Sequence, residues 1–277
     1  MAKTEDLVSG ILKKVSRSMT EEQWKEKTAP YAAELQSFLH APATEYPAWL
    51  DVLAGSLGLN ADGLRMIHEG RYEPGVEPPK ELHPVTTPYG DMEVNAYVLA
   101  DFTSKTALVC DTGADADGLL AFLERHDLTP LAILITHAHG DHIFELDRLS
   151  SKLKSPVYAS KQEAADLGNG VQLLEEGEVL FPGQALETKV YLTPGHSPGG
   201  LSFFIPSKGV GLVGDVLFAG SMGGARQLLP VALHHLGRVI FCWPHDTVLA
   251  PGHGPLTSVG YEKRSNPFAS LVPESNP

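Results

Sequence analysis

The chain has 277 residues, 43% of them apolar and 20% charged, which suits one large domain or two modest ones and excludes a disordered or collagen-like polypeptide. Its 34 acidic and 21 basic side chains leave a formal charge of −13, a balance that repels phosphate backbones and anionic lipid, so neither nucleic acid nor a membrane is an expected partner. Two cysteines, Cys110 and Cys242, lie far apart with no second thiol at metal spacing, which excludes a disulfide framework and a thiolate zinc site and fits a reducing cytoplasm.

Residues 1 to about 72 read as helical. Leu7, Ile11, Val15 and Met19 recur every fourth position and define one helix face. Lys13, Lys14 and Arg17 interrupt this stretch, so it lacks the unbroken apolar centre of a signal peptide. Thr20 to Gln23 fits a capping box for a second helix that turns Trp24, Tyr31, Leu35 and Phe38 inward, with Pro30 marking a kink or restart. Pro42 and Pro47 fall in the next connection. A third helix around Trp49, Leu53 and Leu57 stops near Gly58, and a fourth runs from Asn60 to Gly70. Glu73 to Pro88 contains five prolines and reads as a linker, which puts a boundary near residue 80 between a helical segment, 1–80, and a second unit, 81–277.

Beyond it, short apolar runs alternate with helical segments, which is an α/β pattern. Strands are expected at Val94–Leu99, Ala107–Cys110, Leu131–Ile135, Val157–Tyr158, Lys189–Leu192, Leu201–Ile205, Val210–Val213 and Thr247–Ala250, with a helix over Ala116–His126. No run approaches membrane-spanning length, and no repeat is visible.

The run Leu131-Ala-Ile-Leu-Ile135 feeds into Thr136-His-Ala-His-Gly-Asp-His142. In an extended segment His137 and His139 point to the same side and can grip one ion; Gly140 then lets the chain turn, so that Asp141 and His142 reach a neighbouring position. With twelve histidines in the chain this pattern arises by chance in roughly one chain in a thousand. Three further strand ends carry ligand-type residues beside glycine: His196 in Thr193-Pro-Gly-His196, Asp215 after Gly214, and His253 in Pro251-Gly-His-Gly-Pro255. Alone, each is ordinary turn chemistry; together with the first motif they form a set.

At these residues the chain resembles the metallo-β-lactamase superfamily, and within it the glyoxalase II-like hydrolases. The likeness spans about residues 85–277 and includes Asn95-Ala-Tyr-Val98, Asp111-Thr-Gly113, Thr193 to Gly199, Gly214-Asp-Val-Leu-Phe218 and the stretch from Pro251 through Tyr261 to Asn266-Pro-Phe268. It implies an αββα sandwich, here preceded by an N-terminal helical segment, with two divalent metal ions at one edge. Carried over, His137, His139 and His196 would hold one ion and Asp141, His142 and His253 the other, with Asp215 bridging both. Zinc is the expected metal, and a carboxylate at Asp215, where zinc β-lactamases of the superfamily have cysteine, also admits iron or manganese. Asp111 is either a turn residue or a carboxylate supporting the ligands from below.

The implied activity is hydrolysis of a thioester or a similarly activated acyl compound. A water shared by two ions is ionised near neutral pH, Asp141 orients it as well as ligating, and a thiolate departs without a general acid. Within the same fold the alternatives are a persulfide dioxygenase with one iron held by two His and one Asp, a lactonase, and a metal-bound sensor without catalysis.

The resemblance has departures. Glyoxalase II proper captures glutathione through a C-terminal helical domain with basic side chains, whereas this chain stops soon after Phe268 and carries helices at its N-terminus instead. Ala219-Gly-Ser-Met-Gly-Gly-Ala-Arg226 stands where many relatives have a Gly-Arg-x-Asp-like element, so the loop facing substrate is altered. Leu53-Ala54, Leu57-Gly58, Leu64, Ile67 and Gly70-Arg71 have the spacing of a helix-turn-helix, but the acidic balance of residues 1–80 favours a bundle that packs on the core or forms a homodimer face. The adjacent His234 and His235 point in different directions on a helix and are not expected to be ligands.

Overall fold

The computed structural model describes residues 4–40 and 44–273; Pro42 lies outside them. Five helices come first: α1 (Thr4–Ser16), α2 (Glu21–Thr28), α3 (Ala32–His40), α4 (Trp49–Leu57) and α5 (Ala61–His68). Thr20 caps α2 with the reciprocal Gln23 contact that the sequence predicts. Pro30 does restart the helix, through a 3₁₀ turn over Ala29–Tyr31. Gly58 terminates α4 in the left-handed region, and the Asn60 side chain caps α5.

Two six-stranded sheets follow. The first is ordered β1 (Leu82–Tyr89), β2 (Met92–Asp101), β3 (Thr106–Cys110), β4 (Thr129–Leu134), β5 (Val157–Ser160) and β6 (Gln172–Leu174), with helices α6 (Asp117–Arg125), α7 (Gly140–Ile143) and α8 (Leu146–Leu153) between its strands. The second comprises β7 (Val179–Leu180), β8 (Thr188–Leu192), β9 (Leu201–Ile205), β10 (Val210–Gly214), β11 (Val248–Pro251) and β12 (Thr257–Ser258); α9 (Leu229–Arg238) precedes β11 and α10 (Val259–Ser265) follows β12. Pairing in the first sheet changes from antiparallel, β1 to β3, to parallel, β3 to β6, and in the second only β10 and β11 are parallel.

One expectation needs correction. The proline-rich stretch Glu73–Pro88 is not a linker throughout, because Leu82–Tyr89 is strand β1, paired along its length with β2. Pro84 and Pro88 are tolerated because β1 has a neighbour on one side only, so a missing N–H interrupts no second ladder.

The period-two rule explains the layers. Along β2 to β4, Leu99, Leu108, Cys110 and Leu134 face the space between the sheets, while Val98, Val109 and Ile133 face α6 and α8. Phe203, Ile205 and Leu212 close the same inter-sheet core from the second sheet. Phe204 and Val213 point the other way and share a cluster with Leu229, Leu236 and Trp243, and with Val8, Ile11, Leu53, Leu64 and Ile67 of the N-terminal helices. The layers are therefore α/β/β/α, with the N-terminal helices in the outer layer of the second sheet. Backbone contact fixes that docking: Asn60 N–H donates to the Pro267 carbonyl at 2.9 Å, and the Asn60 amide donates to the Arg264 carbonyl at 2.9 Å. The apolar positions with helix-turn-helix spacing are consumed by this packing. No helix among the described residues is long and apolar enough to cross a membrane.

Candidate metal centre

β4 ends at Leu134, and the next residues carry the chain across the edge of the sandwich before α7 begins at Gly140. Four strand ends converge there. His137 and His139 come from the segment after β4, His196 from the turn after β8, Asp215 from the end of β10 and His253 from the turn after β11, while Asp141 and His142 lie on α7. All seven sequence-predicted residues meet in one cleft. Within the sets His137, His139, His196 and Asp141, His142, His253, the potential ligand atoms lie within 4.8 Å of one another, and a third set joins Asp215 to His137 and His142. His234 and His235, on α9, belong to none of these sets.

Distances place Asp215 between the groups. One carboxylate oxygen is 3.3 Å from His196 Nε2 and 3.5 Å from His253 Nε2; the other is 3.3 Å from His142 Nε2. Asp141 sits 3.2 Å from His253 Nε2 and 3.7 Å from His142 Nε2. His137, Asp141, His142 and Asp215 are buried, His196 and His253 half-buried and His139 exposed, so the cleft opens past the last three.

Four of the five imidazoles have a tethered outward nitrogen, which turns the inward one toward the cleft. His142 Nδ1 donates to Asp111 at 2.7 Å, His253 Nδ1 to the Glu93 carbonyl at 2.6 Å and His196 Nδ1 to the Gly224 carbonyl at 3.2 Å. The Thr136 hydroxyl donates to Asp111 at 2.8 Å and receives the His137 Nδ1 proton at 3.1 Å. Asp111 thus orients His142 directly and His137 through Thr136, from a left-handed backbone position at φ 55°. Of its two expected roles, support from below is the one observed.

The residues fit metal ions by a direct test. His142 Nε2 and Asp215 Oδ1 are fully buried, face each other at 3.3 Å, and neither has a hydrogen-bond partner among the described residues. Gly252 keeps the space open: a Cβ there would stand 2.3 Å from Asp215 Oδ1 and 2.5 Å from His142 Cε1. Burial raises the carboxyl pKa of Asp215, but His142 and His253 outweigh it and hold the group well below the ordinary range. Burial also opposes protonation of His253, yet Asp141 and Asp215 push its pKa up to about 10. The cleft thus pairs carboxylates with imidazoles in a site that water reaches from one side.

The loop after Asp215, marked in the sequence as altered, is held by contacts that sequence reasoning missed. Phe218 and Ser221 exchange backbone hydrogen bonds at 2.9 and 3.2 Å, the Asn266 amide donates to both their carbonyls, and Gly220 N–H donates to the buried Glu262 carboxylate at 3.2 Å. Lys14, on α1, donates to Ser221 Oγ at 2.9 Å and to the Met222 carbonyl at 2.5 Å. No local pattern signals a contact between residues more than 200 apart in sequence, and Lys14 stands beside Lys13 in a helix that is polar on one face.

The profile of the metallo-beta-lactamase superfamily matches residues 89–253, which leaves out all five N-terminal helices. A probable metallo-hydrolase of Bacillus subtilis, YqgX, is 34% identical over 206 residues, covering 65% of this chain and 94% of its own. The hydroxyacylglutathione hydrolase GloC of Haemophilus influenzae is 27% identical over 210 residues, covering 68% of this chain and 96% of its own. Among solved structures, TTHA1623 in a di-iron-bound form superimposes with a TM-score of 0.58 at 34% identity, covering 67% of this chain and 99% of its own.

Proposed function

The chain belongs to the metallo-beta-lactamase superfamily, and from that premise we propose that this metallohydrolase works with two divalent ions on a thioester or a similarly activated acyl compound. The observation that carries the proposal is the buried Asp215 carboxylate, which faces His196 with one oxygen and His142 with the other and so stands between the two sets. His137, His139 and His196 would hold one ion and Asp141, His142 and His253 the other, with Asp215 shared. Such a pair supplies a water ionised near neutral pH and a polarised acyl carbonyl. Zinc suits the imidazole-rich set, while the shared carboxylate suits iron or manganese equally well, a choice supported by the di-iron relative.

The chain's own residues do the rest. Asp111 and Thr136 keep protons on the outward nitrogens of His142 and His137, so their Nε2 lone pairs stay directed inward. Asp141 stays ionised, because His253 and His142 outweigh the effect of its burial, and it orients the attacking water. A thiolate leaving group, with an ordinary thiol pKa of about 8.5, departs without a proton donor. The name of the Haemophilus influenzae relative, a hydroxyacylglutathione hydrolase, supports this substrate class, since an acyl group on the glutathione sulfur is a thioester. The free thiols of Cys110 and Cys242 fit a cytoplasmic setting.

The test is elemental analysis of protein prepared without added metal, together with activity on a thioester, a lactone, a β-lactam and a persulfide. Close to two ions per chain and thioester hydrolysis that needs no oxygen are expected. Oxygen uptake with the persulfide and no hydrolysis of any ester would overturn the proposal.

A further inference from the structure

The N-terminal helices supply none of the seven ligand-type residues, yet one of their side chains reaches the loop beside them. Lys14 Nζ is held by Ser221 Oγ and the Met222 carbonyl, and it lies 5.5 Å from the centre of the Phe218 ring. The same ring meets His253 in a T-shaped contact, with centroids 5.5 Å apart. The half-exposed Phe218 ring thus neighbours both the ammonium and a residue of the cleft.

Three features of this lysine call for an anion. Both acceptors are neutral oxygens, and among the described residues no carboxylate lies within ion-pair distance of this half-buried side chain. An ammonium has three donors and two are engaged, so one N–H is uncommitted. Burial lowers its pKa to about 8 against the pull of Asp215, so it carries charge at neutral pH and its field reaches the cleft. In a chain of net charge −13, its charge adds to that of the proposed ions in favouring an anionic substrate.

We propose that Lys14 is a specificity-determining residue: its ammonium takes an anionic group, a carboxylate or a phosphate, carried by the acyl substrate near its scissile bond. This rests on the hydrolase proposal above. It assigns the N-terminal helices a part in substrate choice that lies outside the family-matched residues, 89–253.

The experiment uses the full metal-loaded chain as wild type, Lys14→Met and Lys14→Arg, with metal content measured alongside. Three thioesters of similar length are compared: S-butanoyl-N-acetylcysteamine, which is neutral; S-succinyl-N-acetylcysteamine, with the anion on the acyl half; and the butanoyl thioester of 3-mercaptopropanoate, with the anion on the thiol half. In Lys14→Met the ratio of anionic to neutral kcat/KM should fall about tenfold or more for one of the two anionic compounds, mainly through KM, and Lys14→Arg should recover most of it. Which compound responds identifies the half that bears the charge. An equal fall for all three would make Lys14 a brace of the loop and overturn the inference, as would no change. If the wild type hydrolyses none of them, the hydrolase proposal fails by itself, and Lys14 is judged by calorimetric titration with succinate: binding about tenfold weaker in Lys14→Met supports its role, and equal binding refutes it.

Discussion

Asp111 stands behind the cleft and governs two of the imidazoles that enter it. Replacing it with Asn leaves all seven ligand-type residues in place but removes the charge that holds the His142 Nδ1 proton, so metal affinity should weaken about 10–100-fold, read by competition with a chromophoric chelator. Asp215→Ala acts differently. It removes a group that faces both sets, and elemental analysis should show the ion content falling from close to two per chain to one or fewer, whereas undiminished content would refute its shared role. At this scale the sequence is informative where chemistry is local. His137 to His142 lie within six residues, and His196, Asp215 and His253 each follow a strand beside a glycine. Thr136, the Glu93 carbonyl and Lys14 leave no such trace, since their importance comes from neighbours distant in the chain.

The docking of α5 against the end of α10 depends on a missing methyl group. A Cβ at Gly63 would come 2.1 Å from the Ser265 carbonyl oxygen and 3.2 Å from Pro267 N, both backbone atoms that cannot swing aside. Gly→Ala inside a helix ordinarily stabilises by about 1 kcal/mol, so a loss of about 1–3 kcal/mol in Gly63→Ala, measured by denaturant unfolding, would show that docking dominates propensity. A second tie joins the two sheets. Asp101, at the end of β2, accepts a hydrogen bond from Lys208 at 2.9 Å in the turn before β10, and two more from Ser104; with Ser104 as the larger influence, its carboxyl pKa falls to about 2. A depressed carboxyl pKa stabilises the fold above the unfolded value and ceases to do so as pH drops through the folded one. Asp101→Asn should therefore cost about 1–2 kcal/mol near pH 7, with the difference from wild type disappearing between about pH 4 and 2. Element by element, the buried strands and capped helices are legible from periodicity. Strand β1 is not, because its prolines signal a loop and only its edge position permits them.

Across the whole molecule, one hydrophobic cluster runs from Val8 to Phe268 and ignores the boundary near residue 80. A chain beginning at Lys80 would remove Val8, Ile11, Leu53, Leu64 and Ile67 from that cluster and uncover the side chains they pack on; it should bind a hydrophobic dye strongly and aggregate on size-exclusion chromatography, while a monodisperse product would show that the helices are dispensable. The αββα layering follows from the motif resemblance. The docking face of the N-terminal helices could not be read, because an amphipathic stripe states that it will be buried and not against what. The pinned loop beside the cleft has a consequence for how the protein is made. Its braces are Lys14 at one end of the chain and Glu262 and Asn266 near the other, whereas all seven ligand-type residues have been synthesised by His253. During translation the ligand-type side chains therefore emerge before the wall of the cleft can set, and that wall waits on the thirteen residues from Gly254 to Asn266.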